Sequence, residues 1–263
     1  MTDTDTTPAI EVKNLVKTFR DFWRRPTVQA IDGIDLLIPR GRIFGLLGPN
    51  GSGKSTTIKI LLGLLFPTAG TVRVLGDSPR RVATKRHIGY LPEESYLYRY
   101  LTAYETLDFY GRLFALDRAT RRDRITQLLD MVGLSHAAHR HVGEFSKGMA
   151  RRVGLAQALI NDPKLIILDE PTAGLDPLGC RQVKDIMLAL AKRGKTILLT
   201  SHLLADVEDV CDDLAILYNG KVRAHGNARE LLKNMDLEHF FLDVIAKAGD
   251  TRTGPVANFL KNA

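Results

Sequence analysis

Short apolar runs alternate with turn residues through the first third of the chain. Residues 9–16 (AIEVKNLV) and 31–38 (IDGIDLLI) read as strands, and Pro39-Arg40-Gly41 turns the chain into a further run at 42–47. The period then changes. Within 55–66, Ile58, Leu61, Leu62 and Leu65 fall at helical spacing, and Pro67-Thr68-Ala69-Gly70 stops the predicted helix. Strands resume at 71–75 and 87–91. Between residues 92 and 161 the pattern is helical throughout. Thr102 with Glu105 forms a capping box opening a helix to 115, a second helix spans 119–132 before Gly133, and a third begins near Ser146. Beyond it, 164–168, 195–200 and 214–218 are unbroken apolar runs of the kind found in parallel strands buried on both faces. The residues after 230 carry little pattern. An α/β fold with a helical insertion follows.

Composition narrows the class. At 263 residues, 44% hydrophobic and 25% charged, the chain fits one large soluble globular domain with a sizeable core. Its longest apolar stretches, such as 60–66, fall far short of the roughly 20 residues that span a bilayer as a helix. The opening MTDTDTTPAI has neither the basic nor the apolar region of a signal peptide and reads as a frayed cytosolic tail. Cys180 and Cys211 lack metal-ligand spacing and are expected as free thiols. A net charge of +7 favours an acidic partner, for which ATP, an anionic leaflet and nucleic acid all qualify. The basic doublets, Arg151 with Arg152 among them, are spread along the chain and are expected on solvated helix faces and loops.

The candidate chemistry begins at GPNGSGKST, the run Gly48, Pro49, Asn50, Gly51, Ser52, Gly53, Lys54, Ser55 and Thr56. It fits G-x-x-x-x-G-K-[ST] between a predicted strand and a predicted helix. Glycines at 48, 51 and 53 let successive N–H groups turn into one concavity, which with the positive helix end binds a phosphate chain. Lys54 would reach the outer phosphates, and the Ser55 hydroxyl would ligate Mg²⁺. The alternative is an accidental glycine-rich turn, which the strand–loop–helix context argues against.

At 165–170, LIILDE delivers two carboxylates to the carboxyl end of a buried strand, where open α/β sheets bind ligands. Asp169 suits the Mg²⁺ shell and Glu170 suits a general base for an attacking water. His202 ends the next strand on the same rim, where it could contact the γ-phosphate. Ser146 in Phe145-Ser146-Lys147-Gly148-Met149 is a good helix N-cap, and with Gly148 it also offers an anion site at a helix start. A single domain has no use for two distant phosphate sites, whereas a head-to-tail dimer does.

Over residues 9–230 these motifs resemble the ATP-binding cassette (ABC) family. GPNGSGKST is similar to its Walker A loop, and Leu91-Pro92-Glu93 occupies the place of its glutamine lid loop. FSKGM resembles the LSGGQ signature, while LIILDE with Ala173-Gly174-Leu175-Asp176 resembles Walker B and the D-loop. His202 sits where the switch histidine does. The resemblance implies a P-loop NTPase fold with a mostly parallel core sheet, an N-terminal antiparallel β subdomain, a helical subdomain at 92–161, and a short extension at 231–263. It further implies ATP and Mg²⁺ sandwiched between two cassettes, contacted by Ser146, Gly148 and Asp176 across the dimer, with Glu93 beside the metal. An aromatic residue would stack on adenine; Phe19 is the choice, with Phe22 and Trp23 as rivals.

Glu93 replaces the usual glutamine, and Lys147 and Met149 replace glycine and glutamine of the signature. These departures, and Leu237-Glu238-His239-Phe240, are similar to the ATPases of two-component exporters of drugs, lipids or polysaccharides. The expectation is an ATPase subunit on the cytoplasmic face of a membrane, paired with a second cassette and a separate permease, with no nucleic-acid partner. A soluble ABC-class ATPase acting on nucleic acid or the ribosome is the alternative. Against it stand the single cassette and the lack of sustained heptads. A small-molecule kinase has only the phosphate loop in its favour.

Overall fold

A computed structural model describes residues 7–23, 25–94, 96–201, 203–233 and 235–249. Among them the strands are β1 (Ile10–Arg20), β2 (Pro26–Ile38), β3 (Ile43–Leu47), β4 (Ala69–Val74), β5 (Ile88–Leu91), β6 (Leu165–Asp169), β7 (Thr196–Ser201), β8 (Asp213–Tyr218) and β9 (Lys221–Asn227). The helices are α1 (Lys54–Leu61), α2 (Val82–Lys85), α3 (Ala103–Leu113), α4 (Arg118–Met131), α5 (Lys147–Leu159), α6 (Pro177–Lys192), α7 (Leu204–Glu208), α8 (Ala228–Leu232) and α9 (Leu237–Lys247).

Two sheets form, as the fold class expected. The first is antiparallel, in the order β2-β1-β4. Its hairpin runs further than the apolar pattern indicated, because Phe19 pairs with Val28 and Arg20 with Pro26. Backbone pairing therefore continues beyond the apolar run that ends at Val16. The second sheet has the order β5-β6-β7-β3-β8-β9, parallel from β5 through β8, with β9 antiparallel at the edge. Every residue of β3, β6 and β7 is buried, which explains their unbroken apolar runs. Strand alternation feeds two cores. Ile43, Leu47, Ile166 and Leu168 face one that also holds α3, α4 and α5, whereas Phe44, Leu46, Leu165 and Ile167 face the other, beneath α1 and the antiparallel sheet.

The insertion between β5 and β6 is helical, and α3 opens with the expected capping box: Glu105 N–H donates to Thr102 Oγ1 (3.1 Å) and Thr102 N–H to Glu105 Oε2 (2.8 Å). Three expectations need correction. Helix α1 stops at Leu61 rather than Phe66, because Gly63 takes φ +65°, in the left-handed region. A Cβ there would meet the Pro79 carbonyl oxygen at 2.5 Å. Edge strand β9 escaped notice because its KVRAHGN sequence is polar and only half buried. The stretch after 230 is ordered into α9, capped by Asp236, with Leu237 and Ile245 buried. No helix among the described residues is long and apolar enough to cross a membrane.

Candidate functional site

Strand β3 ends in the middle of the parallel sheet, and the chain turns through residues 48–53 into α1. Gly48 (φ +154°) has no room for a side chain, since a Cβ would lie 2.1 Å from the Leu217 carbonyl oxygen. Gly53 (φ +110°) is the N-cap of α1, and a Cβ there would lie 2.6 Å from the Ala30 carbonyl oxygen. The loop is thus pressed against β8 and β2, and Gly220 N–H donates to the Ser52 carbonyl (3.1 Å). Lys54 folds across it, its Nζ donating to the carbonyls of Gly48 (2.6 Å) and Pro49 (3.2 Å). The buried Ser52 hydroxyl has no hydrogen-bond partner among the described residues. Ser55 and Thr56, at the start of α1, line a cavity of about 380 Å³ together with Asn50, Gly51, Ser52, Gly53 and Lys54. No acidic residue occupies the first turn of α1, so the positive helix end is left for an anion.

Two strands away, β6 ends in Asp169 and Glu170, both buried. The intervening β7 supplies Thr200, whose Oγ1 donates to Asp169 Oδ1 (2.6 Å) and accepts from the Glu170 N–H (3.2 Å). Glu170 has φ +53°, a strained backbone for a residue with a side chain. Burial pushes the Lys54 ammonium below its ordinary value, while the carboxylates of Glu170, Asp169 and Glu93 pull it back up. The charges of three carboxylates therefore act on the loop lysine.

Arg151 is a residue the sequence reading missed. Expected on a solvated helix face, it is only 5% exposed. Its guanidinium donates to the carbonyls of Pro92 and Glu93 (2.8 Å to the latter) and to those of Asp169 and Glu170 (2.6 Å to the latter). Burial pushes its pKa down, opposed by Asp169, Glu170, Glu93 and Tyr90. The available signal was its spacing from the cap at Ser146, which turns it inward alongside Gly154 and Leu155.

The remaining candidates divide. Phe19 lines the phosphate-loop cavity, whereas Phe22 and Trp23 sit at the hairpin tip, 91% and 71% exposed, ring against ring at 5.4 Å. Ser146 caps α5 by accepting from Met149 N–H (3.2 Å), and Asp176 caps α6 by accepting from Gly179 N–H (2.8 Å). Gly148 lies against Leu175, but neither it nor Ser146 lines the loop's cavity. Glu93 is exposed just past β5. His202 lies outside the described residues. Both cysteines are free thiols, as expected.

The profile of the family described as "ABC transporter" matches residues 31–173. An uncharacterized ABC transporter ATP-binding protein of Synechocystis is 43% identical over 92% of this chain and 68% of its own length. A fluoroquinolones export ATP-binding protein of Mycobacterium tuberculosis is 42% identical over 86% of this chain and 73% of its own. Among solved structures, an ATP binding subunit of an ABC transporter superposes with a TM-score of 0.82 at 31% identity, covering 90% of this chain and 99% of that one. A dimeric ATP-binding cassette bound to ADP and Pi gives 0.76 at 27% identity, over 84% and 99%. With a profile across its phosphate loop and carboxylate strand and relatives along most of its length, this chain belongs to the ABC transporter family as an ATP-binding subunit and is an ATPase.

Proposed function

We propose that the chain powers export through a separate membrane permease, working as one of two cassettes that close on ATP and reopen after its hydrolysis. The observation that carries this reading is the convergence on one rim of the glycine cradle with Lys54 and the Thr200-linked pair Asp169 and Glu170. Export is favoured by the Lys147, Met149 and Glu93 departures and by relatives named for export. The cassette comprises residues 9–230, with its helical subdomain at 92–161 and an extension from 231. It sits at the cytoplasmic face of the membrane beneath its permease.

The loop at 48–56 cradles the phosphates through its N–H groups, and Lys54 leaves the Gly48 and Pro49 carbonyls to neutralise the outer ones. Phe19, which lines the same cavity, stacks on adenine. The donor set of one hydroxyl and carboxylates fits a hard cation, so Ser55, Asp169 and Glu93 would hold Mg²⁺, which neutralises charge on the phosphate oxygens. Glu170 takes a proton from the water that attacks the γ-phosphorus. The bond from that phosphorus to the β,γ-bridging oxygen breaks, giving ADP and phosphate. His202 contacts the γ-phosphate. Ser146, Gly148 and Asp176 of a facing cassette complete the site, and α5 carries the positive helix end that receives the charge.

The test is purification of the chain from its own membranes, followed by ATPase assay with Glu170→Gln alongside. An integral membrane protein should co-purify at a fixed ratio, and Glu170→Gln should bind ATP, accumulate as a dimer and lose turnover about 10²-fold or more. Co-purification with ribosomes or nucleic acid in its place overturns the transport reading. Wild-type turnover in Glu170→Gln removes the assignment of the base.

A further inference from the structure

A buried guanidinium is costly, and a methionine or leucine at position 151 would pack the same helix face without that cost. What Arg151 adds is reach in two directions. It projects from the second turn of α5, whose N-terminus is capped by Ser146. One arm meets the carbonyls of Pro92 and Glu93 beyond β5, and the other meets those of Asp169 and Glu170 at the end of β6. The contacts bridge segments far apart in sequence, and only arginine has the rigid fork of donors to span them.

Three of these four carbonyls belong to Glu93, Asp169 and Glu170, the residues whose carboxylates act on the charge of Lys54. Glu170 is the most constrained. Its N–H is held by Thr200 and its carbonyl by Arg151 at 2.6 Å, so the strained φ of +53° is pinned from both sides. A strained conformation persists where its surroundings over-determine it. Arg151 is not among the residues that line the phosphate-loop cavity.

We infer that Arg151 is a positioning residue, which ties the main chain of Glu93, Asp169 and Glu170 to the start of α5 and so holds the hydrolytic carboxylates in register with the helix that meets the second cassette. The inference rests on Glu170 serving as the base. It makes the loading of α5 and the alignment of Glu170 one mechanical event. Misplacement of a catalytic group by about 1 Å can cost about 10² in rate.

Steady-state hydrolysis of radiolabelled ATP by the full chain tests it, with Arg151→Lys and Arg151→Gln each made in the wild-type and Glu170→Gln backgrounds. Rates are expressed per ATP-binding molecule, so that partial loss of folded protein does not enter. Arg151→Lys should lower kcat about tenfold or more, with KM for ATP and the affinity of a fluorescent ATP analogue changed less than about twofold. Arg151→Gln should lower it further. In the Glu170→Gln background either change should have almost no additional effect, because the positioned group is already gone. Equal losses in both backgrounds, a loss confined to KM, or undiminished turnover in both Arg151 variants overturns the inference while leaving Glu170 as base. Full activity of Glu170→Gln alone instead removes the reading on which it rests.

Discussion

Thr200 and Asp169 sit side by side in register on adjacent parallel strands, and the threonine hydroxyl donates to the carboxylate at 2.6 Å in a fully buried setting. The same hydroxyl accepts from the Glu170 N–H, so one side chain orients both carboxylates. Thr200→Val keeps the shape and removes the hydroxyl. It should cost about 1–3 kcal/mol of stability by stranding a buried carboxylate oxygen. In a domain of this size that is a fall in melting temperature of about 2–4 °C per kcal/mol, readable by calorimetry. The Mg²⁺ concentration for half-maximal ATPase rate should also rise. An unchanged melting temperature and magnesium curve would show that the bond holds nothing.

Phe19 and Trp23 are separated by a few residues of hairpin but by very different surroundings. Phe19 lines the cavity of the phosphate loop, and the Lys17 ammonium lies 5.1 Å from its ring centroid. Trp23 projects from the tip. Phe19→Ala should weaken ATP binding by about 1–3 kcal/mol, the scale of a lost aromatic–base stack, whereas Phe19→Tyr should bind normally. Trp23→Ala should leave affinity unchanged. Titration with ATP by calorimetry distinguishes them, and the reverse ranking of Phe19→Ala and Trp23→Ala would reassign the stack.

At Gly148 an added Cβ would lie 3.3 Å from Leu175 Cδ2, a contact that a leucine can accommodate by a small shift. Gly148→Asp is therefore expected to fold. Its carboxylate would stand at the start of α5, where the anion of the facing cassette should arrive, and would repel it. ATP binding to the single chain should survive, because Lys54 and its loop are untouched. Dimerisation and hydrolysis should fail, as measured by size-exclusion chromatography with ATP and by phosphate release. Loss of binding by the folded monomer would refute a site shared between chains.

The parallel strands were the most legible elements, because burial on both faces leaves an unbroken apolar signature in β3, β6 and β7. Motif residues that act through local backbone geometry were legible too: Gly48 and Gly53 are glycines because no side chain fits. Strand β9 was not, since an edge strand held by ladder bonds to β8 needs no apolar pattern. Nor was the Arg151 network, whose partners are main-chain carbonyls from distant segments. A backbone acceptor has no residue type, so nothing in the sequence marks it. The capping role of Asp176 was likewise hidden behind its place in a motif.

Glu93 is where the chain departs from the glutamine usual in this loop, and the surrounding structure sharpens the consequence. Its carbonyl is fixed by Arg151 at 2.8 Å, while its side chain is exposed and contributes to the field on Lys54. A carboxylate binds Mg²⁺ more strongly than a neutral amide oxygen, but adds negative charge near the γ-phosphate. If both effects operate, Glu93→Gln should retain substantial hydrolysis and need more Mg²⁺ for its half-maximal rate. Glu93→Ala lacks any ligand oxygen and should lose most permease-stimulated turnover. Both should bind ATP nearly as the wild type does, because the main-chain tether and the loop at 48–56 stay intact. Magnesium titrations of ATPase activity with permease present, on the wild type and the two variants, read this directly. The expected order of half-saturating Mg²⁺ is wild type below Glu93→Gln. Three superimposable curves would make Glu93 a loop residue held by its backbone alone, with no part in the chemistry.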